Sequence, residues 1–232
     1  MRQTSMLVLL LGLASSCATI PAESAKPFND YADWFLEEPL TYRILDTDYS
    51  ITVPAGFVTD YASIPRSACL FLPTHGAHSR AAIVHDYLYW TGACSQSRAD
   101  KIMYLAMVEQ GVKVSTRRTI YNTLERFGKA AFKKNQELRK GGTPRVIPDP
   151  MLAKIGSGEI SIADKTWAEF RKEVSAFIAT EEYPAVEMDA AFAAENINVD
   201  WAAIDELYTE RSKEDDPAWW QVWRWLKFWE WF

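Results

Sequence analysis

Two stretches near the start of the chain alternate between apolar and polar positions: Leu40-Thr-Tyr-Arg-Ile-Leu45 and Tyr49-Ser-Ile-Thr-Val53, with Asp46-Thr-Asp48 between them. Alternation with β-branched and aromatic residues on either side of a turn predicts a small β-hairpin. Beyond it, Pro54 to Asp60 and Ile64-Pro65-Arg66 interrupt regular structure and leave Asp60 on a loop. The period then changes to that of a helix. Ser79 can cap a helix running to Trp90 with Ala81, Ala82, His85, Leu88 and Tyr89 on one face. After a short return over Thr91–Gln96, a second helix carries Asp100, Met103, Tyr104, Met107 and Val108 in one stripe. So brief a connection predicts an antiparallel pair. A third helix, Ser115–Asn135, places Ile120, Leu124, Phe127 and Ala131 inward. Gly141 to Pro150 is expected as a linker, followed by amphipathic helices marked by Trp167, Phe170, Val174, Phe177 and Ile178, and by Trp201, Ile204 and Tyr208, the latter capped near Asn198 or Asp200. The expected class is α+β: mainly helical, with one hairpin, an antiparallel helix pair and a helical C-terminal region.

The 232 residues, 48% hydrophobic and 24% charged, have ordinary globular composition. The ends depart from it. Arg2 precedes the apolar run Met6 to Ala14, which is too short to span a bilayer and is followed by small residues, as in a signal peptide. Ala14-Ser15-Ser16-Cys17 resembles the bacterial lipoprotein processing site, with Ala14 where that pattern usually has Leu. The resemblance implies that Cys17 carries lipid; plain secretion with Cys17 removed is the alternative. The chain closes on WWQVWRWLKFWEWF. Trp219, Trp220, Trp223, Trp225, Trp229 and Trp231 surround that segment, which suits a headgroup layer or, alternatively, a terminal helix packed on its own domain. Residues 1–16 are therefore read as signal peptide, 17–34 as lipidated N-terminus and linker, 35–140 as the core domain, 141–150 as linker, 151–216 as an acidic helical region and 217–232 as the Trp-rich interfacial segment. The expected location is the bacterial envelope, lipid-anchored on the periplasmic face of the outer membrane, with membrane lipid as partner and room for an envelope protein.

The net charge of −6 hides an asymmetry: residues 115–145 hold nine Lys/Arg against two acids, whereas 149–216 hold seventeen acids against six bases. The two regions can attract each other, and the basic helix also suits anionic headgroups. Nucleic acid is not expected as a partner for an exported chain of pI ≈ 5.2. Once Cys17 is set aside, Cys69 and Cys94 form an even pair in an oxidising compartment. Their disulfide would close a loop of about 25 residues and contribute roughly 3 kcal/mol; two buried thiols are the other reading.

The chemistry concentrates in AAIVHDYLYW, residues 81–90. GFVTDYASIPR, SRAAIVHDYLYWTG and SRADKIMYLAM, in that order, resemble a domain of unknown function, number 1353, found in bacteria and tailed phages. The resemblance covers about residues 35–135 and implies a phage-related origin but no activity. More locally, His85-Asp86-x-x-Tyr89 followed by Arg98-x-Asp100 resembles the core of secreted and prokaryotic phospholipases of the A2 class. That likeness implies His85 as the base that activates water, Asp100 as the carboxylate orienting it, Tyr89 as the brace on Asp100, and Asp86 as a calcium ligand. The glycine-rich calcium loop of the animal enzymes is absent; Asp60 is the candidate second ligand from its place upstream, with the Tyr61 carbonyl beside it.

The chemistry is coherent on its own terms. Ester hydrolysis needs a base titrating near neutrality and a carboxylate behind it, and a hard cation takes oxygen ligands beside the developing oxyanion. Asp100 has a second reading, as the last residue of a Ser97-x-x-Asp100 capping box. Two further functions stay open. AAIVHD, with His75 and His78 upstream, also resembles an HD-type metal phosphohydrolase. A membrane-associated phage or prophage interaction protein, serving lysis or exclusion, would need no catalysis.

Overall fold

The computed structural model describes residues 24–61, 78–180 and 196–215. Cys17, Cys69, His75 and the six tail tryptophans expected to contact a membrane lie outside them. The fold is mainly helical α+β; among the described residues six helices accompany two antiparallel three-stranded sheets. The predicted hairpin is present as β3 (Leu40–Arg43) and β4 (Ser50–Val53), in the register Leu40↔Val53 to Arg43↔Ser50. Its alternation is literal: Leu40, Tyr42, Ile51 and Val53 are buried while Arg43 is exposed. A short strand from far along the chain, β6 (Ile197–Asn198), extends this sheet beside β4. The second sheet joins β1 (Ala25–Pro27), β2 (Trp34–Leu36) and β5 (Val58–Thr59). Two or three residues are too few to display alternation, so these strands leave no periodic signal.

Helix α1 (Ser79–Thr91) is the centre of the molecule. Every residue in it except Arg80 is buried, Asp86 included, because α2, α3, β4 and β5 pack around it. A helix enclosed on all sides has no solvent face, so the single apolar face expected from the sequence is replaced by burial all round. Its cap is His78 rather than Ser79, and it makes no side-chain capping bond. It stops at Gly92, whose φ of +62° needs no strain in glycine and whose N–H reaches the Leu88 carbonyl. A Cβ at Gly92 would enter the Gln136 side chain, the same amide that donates to the Tyr89 carbonyl at 2.6 Å.

Helix α2 (Gln96–Glu109) begins at Ser95, whose hydroxyl accepts from the Arg98 N–H. The capping role expected of Ser97 therefore falls two residues earlier, and Asp100 is wholly buried. Helix α3 (Val114–Lys140) runs past both expected ends and turns Ile120, Tyr121, Leu124 and Gly128 inward. Phe127, expected inside, is 60% exposed, because the close approach to α1 is made at Gly128, next to it.

A second, smaller core gathers Phe28, just after β1, and Phe35 and Val58 of the second sheet with Ile147, Met151, Trp167, Phe170 and Val174. Helices α4 (Asp149–Gly156) and α5 (Trp167–Ile178) supply it, α5 starting at a reciprocal capping box between Thr166 and Glu169. The stretch leading into α4 lies against β5: the Val58 N–H donates to the Arg145 carbonyl and the Ile147 N–H to the Gly56 carbonyl, each at 2.9 Å.

Helix α6 (Trp201–Glu214), capped by Asp200, packs on α2. Arg98 and Lys101 hold Asp205 at 3.1 and 2.7 Å, and Asp215 receives both Tyr104 and Arg117. Of these, Arg117–Asp215 joins the basic and acidic regions; Arg98 and Lys101 precede the basic region. Among the described residues no helix is long and apolar enough to cross a membrane.

Candidate functional site

Helix α1 presents His85 and Asp86 about 100° apart, as consecutive helical residues must. The two therefore face different neighbours. His85 meets α2: its Nε2 lies 2.8 Å from Asp100 Oδ1. Tyr89, one turn on, donates its hydroxyl to the same oxygen at 2.8 Å, and Gln96 donates its amide to Asp100 Oδ2 at 3.2 Å. An ionised carboxylate only accepts, so Nε2 carries the proton in this contact and the tautomer follows. The Tyr89 ring lies 4.0 Å from the imidazole, centroid to centroid. Burial, then the charge on Asp100, push the Tyr89 phenol far above its ordinary range, so it is a donor at any working pH. The other imidazole nitrogen, Nδ1, is buried and has no hydrogen-bond partner among the described residues.

Gly128 of α3 closes this side. A Cβ there would lie 2.4 Å from the Tyr89 hydroxyl and 3.0 Å from the Gln96 amide. Glycine is what lets a third helix approach the His85–Asp100–Tyr89 group, and Gln96 also donates to the Leu124 carbonyl of that helix at 3.1 Å. Sequence patterning named neither residue; a glycine at an inward register of an otherwise apolar helix face was the available signal.

Asp86 faces β5 and the loop after it. The Thr59 hydroxyl donates to Asp86 Oδ2 at 2.7 Å and accepts from the Tyr61 N–H at 3.1 Å, tying the loop to the helix. Tyr61 takes φ +50°, a left-handed conformation that costs a non-glycine residue about 1–2 kcal/mol. Burial, then the neighbouring charge of Asp60, hold the Asp86 carboxyl well above the ordinary carboxylate range; Arg145 and the Thr59 bond act the other way. Asp60 is itself paired with Arg145 at 3.6 Å. Arg145 in turn donates to the Val58 carbonyl at 2.9 Å and to Asn135 at 2.8 Å.

The predicted residues thus fall into two groups on either side of α1, His85 with Asp100 and Tyr89, and Asp86 with Asp60. Thr59, Arg145 and Gln96 complete them. Asp60 and Asp86 bring two hard oxygen donors together, the chemistry calcium takes, out of the six to eight oxygens it requires. Among the described residues no group of three His, Cys, Asp or Glu side chains converges on one point. Cys94 is half-buried after α1, and burial pushes its thiol up to about 12; its candidate partner Cys69 lies outside the described residues. His78 is buried at the start of α1.

Residues 34–124 match the model of a family described as a protein of unknown function, DUF1353. The matched residues hold all of β2–β5, α1 and α2, and with them His85, Asp100, Tyr89, Asp86 and Asp60; Arg145 lies beyond them. This part of the chain belongs to the DUF1353 family. No curated protein and no solved structure matches the chain.

Proposed function

We propose that the chain is an exported, lipid-anchored envelope protein of phage-related origin whose α1–α2 pair carries a lipid-ester hydrolase site of the phospholipase A2 kind. One observation supports this most: His85 is held by Asp100 through Nε2 while Nδ1 is buried with no partner among the described residues. A buried polar atom with nothing to bond is costly, and holding a water or a reacting group is one use that accounts for it. In this reading a water on Nδ1 gives its proton to His85 as its oxygen adds to the ester carbonyl. Asp100 steadies the imidazolium that forms, Tyr89 and Gln96 fix Asp100, and the proton then passes to the departing alcohol. Asp86 and Asp60 would hold calcium, which supplies positive charge for the carbonyl oxygen.

A second reading has its own observation: the His85, Asp100 and Tyr89 side chains have no exposed surface, as in a polar network kept for the fold of a non-enzymatic interaction protein. The test is fatty-acid release from mixed phospholipid vesicles by the chain lacking residues 1–17, with calcium, magnesium, zinc or chelator, beside His85→Ala. Calcium-dependent release lost in a folded His85→Ala variant is expected. Absence of release under every metal, from folded protein, would leave the interaction protein.

A further inference from the structure

A cleft of about 230 Å³ opens between the two cores, on the Asp60 side of α1. Its walls bring together Asp33 and Asp60, Arg145 and Arg171, and the indoles of Trp90 and Trp167. Asp60 and Arg145 pair with each other. Asp33 and Arg171 do not: they feel each other's charge, yet neither the carboxyl nor the guanidinium has a hydrogen bond or ion pair with a described residue. Two opposite charges on one small cleft, each half-exposed and neither paired with a described residue, are what a ligand carrying both signs would join. Burial and the charge on Asp60 lift Asp33 to about 6, so it is ionised at neutral pH at a cost that a bound cation would relieve.

We propose that this cleft binds a small ammonium–phosphate zwitterion, the ammonium on Asp33 against the Trp90 and Trp167 indoles and the phosphate on Arg171 with Arg145. Indole faces attract ammonium, and guanidinium forks match phosphate oxygens. The volume sets the size: drug-sized ligands occupy about 300–1,000 Å³, so this cleft admits a headgroup and no acyl chain. Such a zwitterion exists free or at the end of a phospholipid, and the recognition chemistry is the same. The proposal does not rest on hydrolysis at His85, because its probe has no ester to an acyl group.

The test is calorimetric titration of O-phosphoethanolamine into the full chain in non-ionic detergent, beside Asp33→Asn and Arg171→Gln. Neither side chain belongs to the buried core, so thermal midpoints serve as the folding control. Saturable binding is expected, at least tenfold weaker in each variant, with ethanolamine alone and inorganic phosphate alone at least tenfold weaker than the zwitterion. Competition by phosphatidylethanolamine vesicles, and not by phosphatidylglycerol vesicles, would assign the lipid as source; binding without such competition would assign the free molecule. No binding of O-phosphoethanolamine by folded wild-type chain, or equal binding by both folded variants, would overturn the proposal.

Discussion

The two flanks of α1 each bury an aspartate, and they treat it in opposite ways. On the α2 flank Asp100 accepts from three donors, His85, Tyr89 and Gln96, in a closed network. On the β5 flank Asp86 has the Thr59 hydroxyl and, beside it, the like charge of Asp60. Satisfied buried networks specify and stiffen a core, whereas a buried carboxyl beside a like charge destabilises the fold, and such groups cluster at functional sites. The contrast separates a positioning flank, whose residues hold His85 in one tautomer and orientation, from a binding flank that continues through Asp60 and Arg145 into the cleft with Asp33 and Arg171.

Removing the satisfied aspartate should have the largest effect. Asp100→Ala strands the two buried donors of His85 and Tyr89, Gln96 keeping the Leu124 carbonyl, and should cost about 3–5 kcal/mol in urea unfolding; a cost near zero would mean that the network is not closed in solution. Gly128→Ala comes next. In an exposed helix interior this change stabilises by about 0.5–1 kcal/mol, but the added methyl here meets the Tyr89 hydroxyl and the Gln96 amide. It should therefore destabilise by about 1–3 kcal/mol, and a stabilised variant would show that α3 stands further from α1 than described.

The other flank should answer with the opposite sign. Because the folded state raises the Asp86 pKa above its unfolded value, the folded protein loses stability as pH climbs past the ordinary carboxylate range. Asp86→Asn cannot ionise and keeps an acceptor for Thr59, so its thermal midpoint should exceed that of wild type at pH 8 and by less at pH 4. A variant less stable at pH 8 than at pH 4, relative to wild type, would contradict the like-charge account. Asp33→Asn should show the smallest effect and the same sign. Its gain should grow as pH rises from about 4 to about 6 and then level off, since 3.8 and about 6 bound its unfolded and folded titrations.

Much of the α2 flank was legible because it is written locally. His85, Asp86 and Tyr89 sit on one helix, Asp100 is fifteen residues on, and a short connection brings the two helices together. The hairpin was equally plain, since β3 and β4 are neighbours with alternating faces. What escaped was non-local. Strands β1, β2, β5 and β6 have two or three residues each, too few to show a period, and β5 and β6 take their places from partners far along the chain. Gln96 and Gly128 matter only through a third helix, and Phe127 was assigned inward because the register of α3 turns on that glycine. Arg145 fell in a stretch read as linker, and its role appears only once that stretch lies against β5. Asp33 lay in a segment read as linker and carried no motif.

The most direct test of the positioning flank is the tautomer of the His85 ring, read from ¹⁵N–¹H long-range correlation spectra of wild type and His85→Gln. The predicted result is a ring whose proton sits on Nε2, against Asp100, with a lone pair on Nδ1 able to take a proton from water. A ring whose proton sits on Nδ1 instead would leave no lone pair at the open nitrogen and contradict the account.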